Sequence, residues 1–80
     1  MTLVQPGPDS EQTFETWREA RDRANTLLPR RKRNRPYAQR SGYHSARAPG
    51  GAHRWIVMVG NAVLLTDGTM FDYQRNKRIG

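Results

Sequence analysis

The residues of this chain best suited to chemistry are cations. Arg30-Arg31-Lys32-Arg33-Asn34-Arg35 carries five positive side chains in six positions, and Arg40, Arg47 and Arg54 follow. Such density suits a phosphate backbone, where each neutralised phosphate releases condensed counterions and adds affinity. With about five to seven of these groups engaged, log K should fall with log salt at a slope of roughly −4.5 to −6. Tyr37, Tyr43, His44 and Trp55 lie among or just after the cations, and aromatic rings between positive charges offer stacking platforms for unpaired bases. The candidate nucleic-acid contacts are therefore Arg30, Arg31, Lys32, Arg33, Arg35, Tyr37, Arg40, Tyr43, Arg47 and Arg54. The competing readings are a solvated basic loop without a ligand and a surface for an acidic protein. A nuclear import signal has the same form, but short basic runs arise often by chance.

Other chemistries lack their residues. His44 and His53 stand nine apart with no cysteine anywhere in the chain, so a metal site lacks ligands of suitable type and spacing. The sequence holds no paired carboxylates, no nucleophile next to a base and no glycine-rich phosphate loop after a strand. Gly50-Gly51 is too short to count as one. No enzyme activity, cofactor or metal is expected.

The charge is a block as well as a total. The net +7 divides into −2 over residues 1–28, +8 over 29–54 and +1 over 55–80, the middle block holding eight bases and no acid. Like charges so concentrated repel in a folded chain unless solvent or a partner neutralises them. Arginine outnumbers lysine 12 to 2. Both a GC-rich genome and selection for the phosphate-gripping guanidinium produce that bias. The small, Arg-rich, cysteine-free composition has the character of phage or mobile-element proteins.

Eighty residues allow one domain with a marginal core, and without cysteine no disulfide or thiolate zinc site can staple it. A reducing, cytoplasmic setting follows. The longest apolar run, 55–59, is far short of the roughly 20 residues of a membrane span, and the start lacks the basic-then-apolar layout of a secretory signal. Neither membrane association nor export is expected.

The elements that must position the cations are read from period and turns. Pro6-Gly7-Pro8 suggests a frayed tail over 1–9. Asp9 or Ser10, with Gln12 following, signals a helix over 10–28 whose apolar stripe is Phe14, Trp17, Ala20, Ala24, Leu27 and Leu28. Residues 29–53 hold two breakers and almost no aliphatic side chain, which predicts a long mobile loop. Residues 54–74 read as three strands joined at Gly60-Asn61 and Asp67-Gly68, the latter a strong hairpin signal, and 75–80 as a basic tail. The expected fold is α+β: an N-terminal amphipathic helix packed on a three-stranded antiparallel meander.

If both turns have two residues, Val59 faces Ala62 and Leu64 faces Phe71. One sheet face then carries Trp55, Val57, Val59, Ala62, Leu64, Phe71 and Tyr73, and the other carries Ile56, Met58, Val63, Leu65 and Met70. One helix covers one face only. The second face, Ile56, Met58, Val63, Leu65 and Met70, is thus expected to meet a partner protein or a second copy. Of the polar groups on the sheet, only Arg54, Asp72, Gln74, Thr66 and Thr69 are placed to reach a base edge, which disfavours readout by the sheet. The leading expectation is a small accessory protein that binds DNA or RNA through its Arg-rich loop. The alternative is a non-enzymatic inhibitor or adaptor that docks this apolar face and the basic loop on an acidic host protein.

Overall fold

The main helix begins at the strongest capping pair. Thr16 has extended backbone, its hydroxyl oxygen accepts the Glu19 amide at 3.1 Å, and the same hydroxyl donates to Glu19 Oε1 at 3.0 Å. That satisfies an orphan amide of the first turn and places a carboxylate at the positive end of the helix dipole. In the computed structural model, which describes residues 5–27 and 35–79, helix α1 therefore spans Trp17–Asn25. The expected start at residue 10 is corrected. Asp9 and Ser10 belong instead to a single 3-10 turn, Pro8–Ser10, and residues 11–14 are extended because their backbone groups pair with strands. Ala20 and Ala24 are buried beneath α1, whereas Trp17, expected in the stripe, is 47% exposed and stacks with Arg21 at 4.8 Å. Leu28 lies outside the described residues.

The sheet has five antiparallel strands, not three: β1 Tyr37–Arg40, β2 Trp55–Val59, β3 Ala62–Leu64, β4 Met70–Asp72 and β5 Lys77–Ile79, in spatial order β1-β2-β3-β4-β5. Both additional strands lie at edges. β1 shows little alternation because only Ala38 turns in toward the core, opposite Val57, with α1 packed across β1 and β2. β5 follows a four-residue loop that the Asp72 carboxylate organises by accepting the amides of Gln74 at 2.9 Å and Arg75 at 3.1 Å. Asn76 takes φ 53 at the end of that loop, a left-handed position asparagine tolerates. A short helix α2, Gly42–Arg47, follows β1, capped by Ser41, whose hydroxyl oxygen accepts the His44 amide at 3.2 Å. Thus the expected loop over 29–53 contains a strand and a helix, and the expected tail over 75–80 contains β5.

Strands β2 and β3 pair near their turn, Met58 with Val63 and Val59 with Ala62, and the N-terminal segment fills the space between their far ends. Phe14 exchanges both backbone hydrogen bonds with Trp55, at 2.8 and 2.9 Å. On the other side the Gln12 amide donates to Leu64 O at 2.9 Å and the Thr66 amide donates to Ser10 O at 2.8 Å. Four strand-like bonds hold residues 10–14, which the sequence reading places in the first turns of the helix. Upstream, the Pro6 carbonyl accepts from Tyr73 Oη at 3.1 Å.

The first hairpin has the expected register, with Gly60 at φ 60 in the leading turn position that a II′ turn reserves for glycine. The second is offset by one. Leu65 N donates to Thr69 O at 2.8 Å, so 66–68 form a three-residue loop with Gly68 at φ 87, and Leu64 pairs with Met70 while Val63 pairs with Phe71. A one-residue shift exchanges faces. Phe71 and Tyr73 join Ile56, Met58, Val63 and Leu65, and Met70 joins Val57, Leu64, Ala20 and Ala24 beneath α1.

This corrects the proposed partner face. Met70 lies on the opposite side, Ile56, Val63 and Leu65 are buried within the chain itself, and Met58 is half-buried. The cover comes from the inserted segment, where Glu11 pairs with Leu65, and from Phe71 and Tyr73. Helix α1 does not supply it; α2, within the predicted loop, adds to it through His44, which reaches Glu11.

Candidate nucleic-acid interface

Of the candidate contacts, Arg30, Arg31, Lys32 and Arg33 lie outside the described residues. Tyr37 and Arg40 lie on β1, Tyr43 and Arg47 on α2 and Arg35 just before β1, with Arg54 beside α2 in space: Ser41 N donates to Arg54 O at 2.9 Å, and Ser45 Oγ accepts from Arg54 N at 2.9 Å. These serine bonds dock α2 against the start of β2. The cations are therefore held on structured backbone.

Their charges are compensated to different degrees. Arg54 reaches Glu15 at 3.5 Å. Arg47 lies over the Tyr43 ring at 3.5 Å and donates to Tyr43 O at 3.0 Å, an intrahelical arrangement that leaves its charge without a carboxylate. Arg35 and Arg40 are exposed, and neither has a carboxylate in ion-pair contact among the described residues. Elsewhere Arg21 meets Asp22, Arg75 meets Asp72 and Arg78 meets Asp67 at 3.0 Å, whereas Arg18, Arg23 and Lys77 have no carboxylate in ion-pair contact among the described residues. Hydrogen bonds from the Thr69 side chain and amide, with the Arg78 guanidinium beside it, hold the Asp67 carboxyl down at about 2.

The aromatic candidates separate in the same way. Tyr37 and Tyr43 are 45% and 42% exposed. Trp55 is half-buried against the α1 core opposite Phe14, so its ring is packing material. The polar groups considered for base readout on the sheet are mostly engaged: Asp72 in its loop, Gln74 with Asn61 at 2.7 Å, Thr69 with Asp67 and Arg54 with Glu15.

One constellation had no signal in sequence. His44 Nε2 lies 2.9 Å from Glu11 Oε1, both side chains being largely shielded, across 33 residues of chain. Tyr73 sits close enough that burial first, and the Glu11 carboxylate second, push its phenol up to about 12. The group ties α2, the inserted segment and the end of β4 together over the sheet face opposite α1. Neither a shared motif nor a regular spacing links the three positions. Among the described residues no group of His, Cys, Asp and Glu is arranged to hold a metal ion, and no helix is long and apolar enough to cross a membrane.

No protein-family model matches the chain, and no curated protein or solved structure gives a significant match.

Proposed function

We propose that this protein binds nucleic acid, with its basic block contacting phosphates from β1, α2 and the residues that precede them. The observation that carries the reading is the acid-free block. Arg35 and Arg40 flank exposed Tyr37 in sequence with no carboxylate in ion-pair contact among the described residues, within residues 29–54, which hold eight bases and no acid. An uncompensated cation patch draws polyanions and binds them with strong salt dependence. Arg30, Arg31, Lys32 and Arg33 adjoin this patch in sequence.

The adaptor reading is the less favoured, because Ile56, Val63 and Leu65 of the face it requires are buried within the chain and Met70 lies on the other side of the sheet. Replacing Arg30, Arg31, Arg33 and Arg35 together with Ala separates the two. Loss of a salt-sensitive electrophoretic shift with DNA or RNA, at an unchanged melting temperature, is the expected result. Retention of the shift, or stoichiometric capture of one acidic protein by a parent chain that shifts no nucleic acid, would overturn the reading.

A further inference from the structure

Resting on the nucleic-acid reading above, we infer that the preferred ligand is an unpaired strand, its bases stacking on Tyr37 and on the Tyr43–Arg47 pair. Among the described residues, two of the three exposed large apolar side chains, Tyr37 and Tyr43, fall inside the acid-free block. Arg35 and Arg40 flank the first, and Arg47 covers the second.

The two rings share a side of the sheet. Tyr37 is paired with Met58, whose face is opposite α1. His44 reaches Glu11, which shares that face with Leu65, and the Tyr43 ring meets the His44 ring edge-on at 5.1 Å. Three strand steps of about 3.3 Å separate Tyr37 from Arg40, and that odd number turns Arg40, paired with Trp55, to the α1 side. A strand crossing the side opposite α1 would meet the Tyr37 ring and then the Tyr43–Arg47 pair.

Tyr43 is also preorganised. His44 supports its edge, Arg47 lies flat on its face, and the Arg47 bond to Tyr43 O fixes that guanidinium. The outward guanidinium plane is itself a stacking surface, and its remaining N–H groups reach phosphate.

Duplex readout lacks a matching element among the described residues. α2 has six residues, too few to lie along a major groove, and the exposed side of α1 mixes Arg18, Arg21 and Arg23 with Glu19 and Asp22. The sheet face opposite α1 is partly occupied by the inserted segment.

The test compares fluorescence anisotropy of a labelled 20-nucleotide oligo-dT, an abasic strand of equal length and charge, and a 20-base-pair duplex, using the full chain. Oligo-dT should bind about tenfold or more tightly than the abasic strand. Tyr37→Ala with Tyr43→Ala should erase that difference by weakening oligo-dT far more than the abasic strand, while Tyr37→Phe with Tyr43→Phe should preserve it and show that the sites tolerate change. Equal affinity for oligo-dT and the abasic strand, or tighter binding of the duplex, overturns the stacking inference and leaves phosphate binding standing. Absence of binding to all three overturns both readings.

Discussion

Phe14→Ala and Trp17→Ala separate this architecture from a simple helical stripe, in which both aromatics are core. Phe14 is not helical: it exchanges two backbone hydrogen bonds with Trp55, and its half-buried ring packs on the cluster of Ala20, Ala24, Val57 and Leu64. A fully buried Phe→Ala change costs about 3–5 kcal/mol. Partial burial brings the expectation to about 2–3 kcal/mol. Trp17 is 47% exposed and touches Arg21 at 4.8 Å, an exposed cation–π contact worth about 0.5–1 kcal/mol. Alanine at the first helical position returns part of that through its higher propensity. A domain of this size has about 4–12 kcal/mol in total, and each kcal/mol moves its melting temperature by about 4–8 °C. Thermal unfolding followed by circular dichroism should thus show a drop of about 10–20 °C for Phe14→Ala and less than about 5 °C for Trp17→Ala. A larger loss for Trp17→Ala would refute the inserted segment and restore a helix running through residue 14.

Further expectations concern the loops and the shielded polar group. Gly68→Ala, at φ 87 in open space, should destabilise by about 1 kcal/mol in urea titration through backbone conformation alone, whereas Gly42→Ala, in the first turn of α2 with no crowding, should stabilise by about 0.5 kcal/mol. Glu11→Ala and His44→Ala should each cost about 1–3 kcal/mol by leaving a shielded partner unpaired, and the double variant should cost less than their sum. Tyr73 has a folded value near 12 against 10 in the unfolded chain, so it favours the fold below pH 10 and that contribution disappears as pH rises through 12. Tyr73→Phe should flatten this part of the alkaline stability curve, measured as melting temperature against pH.

What was legible in the sequence were features with strong local chemistry. Gly60-Asn61 fixed the first hairpin because glycine alone accepts the leading position of that turn readily. Asp67-Gly68 located the second hairpin but not its length, since the sequence does not say whether Thr66 closes the strand or opens the loop. The resulting slip exchanged Phe71 and Met70 between faces and left an apolar surface unaccounted for. The helix start was read at Asp9 or Ser10, but Thr16 with Glu19 caps the helix because residues 11–14 gain strand partners. β1 and β5 were hidden because edge strands rich in Arg, Lys and Gln show no alternation, and the Glu11–His44 contact was hidden because only tertiary folding brings it together. For the candidate site, residue types were readable and accessibility was not. Tyr37 and Tyr43 face solvent, whereas Trp55, in the same charged neighbourhood, packs beneath α1.

The most direct test of nucleic-acid binding by uncompensated cations is a salt titration of oligo-dT affinity from 50 to 200 mM, taking the spans as about those over which counterion release is resolved. Engagement of about five to seven phosphates predicts a log–log slope near −3.5 to −5 for a single strand, reduced in magnitude by about 1.4 when Arg35 and Arg40 are both replaced by Ala. A slope near zero, or one unchanged by those replacements, would contradict the account.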